Sequence, residues 1–141
     1  MYSPSRVPAA LTAVRFQFED VKVAFKKGRN KMPMYITYAK YSHSGVKGMI
    51  DKPTDRTGAI KALIEKSGGK LIAVYMTTGS HDVVIVSEAP AGTDVVAVGM
   101  AAAASGAVSK IETVRAWTPS EFKSIAEKAG KLAGDYTPPG K

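Results

Sequence analysis

The chain has 141 residues, of which 45% are hydrophobic and 23% charged, and it contains no cysteine. That length suits one domain burying roughly two-thirds of its unfolded surface. The missing thiols exclude a disulfide framework, a thiolate metal site and a cysteine nucleophile, and they fit a cytoplasmic, reducing location. A net charge of +8 and a pI near 9.7 invite a nucleic-acid reading, but the charge is lopsided. Residues 1–31 hold seven basic groups against Glu19 and Asp20, a net of +5, which leaves +3 spread over the other residues. A diffuse excess of that size describes a solvated surface, and nucleic acid is not expected as a partner.

In chain order, residues 2–13 show no sustained period, and Val14, Phe16, Phe18, Val21, Val23 and Phe25 alternate with polar residues as a short strand would. The wholly polar run Lys26–Lys31 then marks a boundary. It reads either as a basic arm reaching for an acidic partner, or as a misassigned start. Purine-rich codons for Lys, Gly, Arg and Asn directly before Met32 would be a translated ribosome-binding site. The second reading is favoured, because Glu19-Asp20 argues against a transit peptide. The expected organisation is a basic and possibly disordered extension over 1–31, a domain over 32–131 and a disordered tail over 132–141.

Met34–Tyr41 is rich in β-branched and aromatic residues and predicts a first strand, followed by a polar loop over Ser42–Pro53. Thr54 or Asp55 is placed to cap a helix whose Ala59, Ile60, Leu63 and Ile64 share one face and which Gly68-Gly69 ends. Leu71–Met76 and Val83–Val86 are short apolar runs joined by Thr77–Asp82, a sequence suited to a hairpin turn. Thr93 or Asp94 is placed to cap a second helix through Ala104, with Gly106 as terminator, and Val108–Trp117 alternates as a last strand. Val95–Ala104 is the longest apolar stretch, and it falls short of the about 20 residues a bilayer needs. No membrane partner is expected.

The sharpest local signal is Thr118-Pro119-Ser120-Glu121, a capping box with proline at the first helical position. Phe122, Ile125, Ala126 and Ala129 are expected as the buried face of the helix it starts. The order is thus β-α-β-β-α-β with an extra C-terminal helix, an α+β ferredoxin-like sandwich with both main helices on one face of the sheet. Val83 and Ile85 lie on one face of their strand and Val84 and Val86 on the other, so both sheet faces are apolar. Leu71, Ala73 and Tyr75 against Ile72, Val74 and Met76 repeat the pattern. A second copy is the expected cover for the face the helices leave open, which makes the protein a homodimer or larger oligomer.

From Pro33 to about Lys131 the chain resembles the GYD-domain family of small bacterial and archaeal proteins. The resemblance rests on the opening strand, Ala62–Lys70, Gly79–Asp82 before Val83–Pro90, and Thr113–Thr118 before Glu121-Phe122. It implies a ferredoxin-like unit of the dimeric α/β-barrel type and no established activity. Where the family name expects Gly-Tyr-Asp, this chain has Gly79-Ser80-His81-Asp82, so no role for a phenol at that turn is implied.

Candidate chemistry is sparse. His81-Asp82 is the one local pairing of a base with a carboxylate, but neighbours on a strand point to opposite faces, and Asp82 is better placed to bond backbone amides. Tyr41, Tyr75 and Trp117 are candidate lining for an apolar pocket. The two histidines, His43 and His81, show no metal-ligand spacing, and neither a P-loop nor a dinucleotide fingerprint occurs. No metal and no cofactor are expected. The reading leans away from catalysis, toward a small oligomeric domain that binds a small molecule or a protein at an interface. The alternative, by analogy of fold, is a cofactor-free isomerase or oxygenase acting on an apolar or aromatic molecule between sheet and helices.

Overall fold

The computed structural model describes residues 32–141. The strand considered within residues 14–25, and both readings of the basic run before Met32, lie outside the described residues. The elements are β1 (Met34–Tyr41), α1 (His43–Asp51), α2 (Thr57–Lys66), β2 (Lys70–Met76), β3 (Val83–Glu88), α3 (Gly92–Ala104), β4 (Val108–Ala116) and α4 (Pro119–Ala133). The four strands form one sheet in the order β2-β3-β1-β4, with every neighbouring pair antiparallel. This is the expected ferredoxin-like α+β arrangement, with α2 and α3 on one face of the sheet and α4 appended.

The predicted loop over Ser42–Pro53 is in fact largely helical. Ser42 is the N-cap of α1: its hydroxyl accepts from the Gly45 amide at 3.1 Å and donates to the Gly106 carbonyl at 2.6 Å. The glycines that suggest a loop have a packing role here. A Cβ on Gly45 would lie 2.2 Å from the Ala107 carbonyl oxygen, so the close approach of α1 to that turn requires glycine.

Two predicted caps also move. Arg56 is the N-cap of α2 and makes no side-chain cap bond. Asp55, one residue earlier, accepts the Thr57 amide at 2.9 Å, and bonds from the Thr57 hydroxyl and amide hold its carboxyl below the ordinary aspartate range. Ala91 is the N-cap of α3, with Asp94 inside the first turn. The terminators are those expected. Gly68, at φ 87°, ends α2 with its amide on the Glu65 carbonyl and that of Gly69 on Ile64, and Gly106, at φ 79°, follows the C-cap Ser105 of α3.

The face assignment of β2 needs a correction. Leu71 pairs with Ser87 and Ala73 with Val86, so Ile72 is the extra residue of a bulge. Leu71 therefore shares the helix side of the sheet with Val74 and Met76, while Ala73 and Tyr75 face the other side. On the helix side the most deeply buried apolar residues are Val83 and Ala89 at 3% exposure and Ala39 and Ile64 at 5%.

The capping box of α4 forms as expected, with Glu121 accepting from the Thr118 amide at 2.8 Å and the Glu121 amide donating to the Thr118 hydroxyl at 3.2 Å. Its apolar face is not buried. Phe122 is 53% and Leu132 61% exposed, and α4 has no buried residue. Just Trp117 and Thr118 separate α4 from the edge strand β4, so the helix starts at the margin of a sheet whose one face α2 and α3 already occupy. Phe122 meets the Trp117 ring edge-on at 6.3 Å. Residues 134–141 add no further helix or strand.

Candidate functional site

The helix side of the sheet presents short side chains at its centre, Thr37 and Ala39 on β1 and Ser87 on β3, and α3 brings Gly99, Ala101 and Ala102 toward them. Short residues facing short residues leave the layers incompletely filled. The result is a cavity of about 280 Å³ between sheet and helices, walled by Leu63 and Ile64 of α2 and by Val95 and Val98 of α3. A Thr37–Thr113 hydroxyl pair at 3.0 Å satisfies both hydroxyls across β1 and β4, so the sheet side of the cavity is polar at few points.

The antiparallel register fixes which residues share an end. Ala39 pairs with Val83, Met76 with Val83 and Tyr41 with Val108, which puts the C-termini of β1 and β2 beside the N-termini of β3 and β4. α2 leads into the far end of β2, and α3 runs from the far end of β3 back to β4. The N-terminus of α2 and the C-terminus of α3 therefore lie at the Tyr41 end. Arg56, Tyr41, Ser105 and Ala107 line the cavity there, and Ser67, Ser87 and Ala89 line the opposite end.

The five residues singled out in the sequence do not converge. Tyr41 alone lines the cavity. Asp82 accepts the Tyr41 amide at 2.9 Å and so secures the end of β1, where its register with β4 shifts. His81 stands on the opposite face of the sheet. Its ring lies 5.0 Å from that of Tyr38, Nδ1 is 3.2 Å from the Ser80 hydroxyl, and Nε2 is buried without a hydrogen-bond partner, 3.8 Å from a Glu112 carboxylate oxygen. Tyr75 registers with Val84 on that same outer face and is 64% exposed. Trp117 lies past the other end of β4, its ring 4.7 Å from the Arg115 guanidinium, which donates to the Met34 carbonyl at 3.0 Å.

The residues missed from sequence are the ones that shape the cavity. Arg56 is one, and the Gly99–Ala104 run is another; the small residues of that run carry a signal, because a helix face of alanine and glycine opposite threonine, alanine and serine cannot fill the gap. The outer face carries Ile36, Tyr38, Val84 and Val86, all half-buried, and neither α1 nor α4 buries a residue there or elsewhere. Among the described residues no group of three or more His, Asp or Glu is placed to hold a metal, and no helix is long and apolar enough to cross a membrane. The family model for the GYD domain matches residues 35–126, from β1 into the first half of α4. No curated protein matches the chain.

Proposed function

The chain belongs to the GYD-domain family, and on that premise we propose that its domain is a binding module, a homo-oligomer that holds a small apolar molecule between its sheet and its helices. The observation that carries this reading is the cavity of about 280 Å³. Its walls are largely apolar, and a ligand that fills it gains packing contacts and removes apolar surface from water. The lining supports binding more directly than turnover. Its charged residues are Arg56 and Glu88, and register places the Glu88 side chain on the outer face with Met34 and Lys70.

Self-association is proposed for the outer face. An antiparallel sheet with one wet face carries polar residues at alternate positions, whereas Ile36, Tyr38, Val84, Val86 and Val114 make the middle of this face apolar, with Glu112, Lys40 and Lys110 toward one end. The apolar stripe of α4 is a second surface without a partner in its own chain. Two such surfaces on one molecule are mutually satisfied when a second copy meets them about a two-fold axis. Native mass spectrometry of the purified protein tests both parts. A dimer or larger assembly retaining a small molecule supports the reading. A monomer that retains nothing and binds no apolar probe overturns it.

A further inference from the structure

We propose that the cavity takes a small monocarboxylic acid, its apolar body between sheet and helices and its carboxylate against Arg56. The inference rests on reading the cavity as a ligand site and adds the chemistry of the ligand's head. Arg56 is the one cation along the lining; it is exposed, and among the described residues its guanidinium has neither an ion-pair nor a hydrogen-bond partner. The carboxylate nearest in sequence, Asp55, is engaged by Thr57. Glu88 belongs to the far end of the sheet, with its side chain on the outer face.

Three features at the Arg56 end favour an anion. The guanidinium offers a planar fork of donors that matches a carboxylate. The first turn of α2 starts there, with the partial positive charge of a helix N-terminus. Two of the last carbonyls of α3, which would oppose an anion at the same end, are occupied: Ala102 by the Ser105 hydroxyl at 2.6 Å and Ala103 by the Gly106 amide at 3.0 Å. Tyr41, the last residue of β1, adds a phenol to this end.

The rest of the lining sets the body of the ligand. Leu63, Ile64, Val95 and Val98 offer no hydrogen bond, so the body is apolar. A volume of about 150 Å³ holds benzene; one of about 280 Å³ holds a single ring with a short branched substituent, or an aliphatic chain of that bulk.

Calorimetric titration of the full chain with para-isopropylbenzoate and with para-isopropylbenzamide separates head from body. The wild type should bind the acid at least tenfold tighter than the amide, equivalent to about 1.4 kcal/mol. Arg56→Gln should bring the acid down to the affinity of the amide while leaving the amide unchanged, and Arg56→Lys should restore part of the preference. Equal binding of acid and amide by the wild type, or a loss of both in Arg56→Gln, overturns the carboxylate assignment and leaves the cavity reading standing. Binding of neither probe overturns both.

Discussion

Replacing Ala102 with leucine should stabilise the protein, although adding bulk to a protein interior ordinarily does the opposite. Ala102 lies on the face of α3 that lines the cavity and is half-buried. Leucine adds three carbons, and at about 0.8 kcal/mol per buried methylene the gross gain is about 2.4 kcal/mol. Ordering the leucine rotamers takes back about 0.5–1 kcal/mol, and alanine and leucine differ little in helix propensity. The net gain is about 1.5 kcal/mol, which for a domain of about 100 residues raises Tm by about 6–12 °C. Thermal unfolding at fixed protein concentration and neutral pH reads it directly; concentration is held constant because an oligomer's Tm depends on it. The same substitution should abolish binding of para-isopropylbenzamide. In a filled core it would instead cost about 1–3 kcal/mol through overpacking. A lower Tm for Ala102→Leu would therefore refute the open cavity and the function built on it.

Two glycines of α1 should respond with opposite signs. Gly45→Ala drives a Cβ into the Ala107 carbonyl and should cost about 2 kcal/mol, whereas Gly48→Ala meets no atom within 4 Å and should gain about 0.8 kcal/mol, both read by urea unfolding. Val84→Glu, on the outer face, should convert the proposed homo-oligomer to a folded monomer. Ile85→Glu, which lines the cavity, should unfold the chain at a cost of several kcal/mol. Sizing chromatography with light scattering and circular dichroism distinguish these outcomes, and a monomeric wild type at micromolar concentration would sink the argument for self-association. His81→Tyr removes a buried nitrogen that has no hydrogen-bond partner and should leave stability unchanged or raise it by about 1 kcal/mol. A loss above about 2 kcal/mol would place His81 in a bonded network instead.

How legible each feature was depends on how local its cause is. The bounds of β1 and the capping box of α4 follow from residues within one short window, and both stand as read. α1 was hidden because Ser42, Ser44, Gly45 and Gly48 look like loop formers until Ala107, more than 60 residues later, is seen to require a glycine at 45. The bulge at Ile72 belongs to a pair of strands, so one strand's alternation cannot reveal it. The amphipathic pattern of α4 is legible in the sequence, but periodicity says which residues share a face and not whether anything covers them. The cavity is harder still. It arises where two sets of short side chains, one from the sheet and one from α3, meet, and Arg56 enters it through the position of a helix end.

The place of β1 in the sheet has a kinetic consequence. Among the described strands β1 comes first, yet it is central, and both its neighbours are distant in sequence: Thr37 meets Thr113 across 76 residues, and Tyr41 meets Asp82 across 41. The β2–β3 hairpin is the one strand pair that can close locally. Folding must then proceed through two long loop closures, whose entropy falls due before any contact repays it. On the ribosome β1 waits with both edges bare until β3 arrives, and one edge stays bare until β4 has emerged. A chain cut between α3 and β4 would keep the hairpin, both main helices and an unprotected Tyr-rich strand edge, the kind of surface that recruits other chains. Aggregation of such fragments, rather than partial function, is the fate this topology assigns to incomplete synthesis.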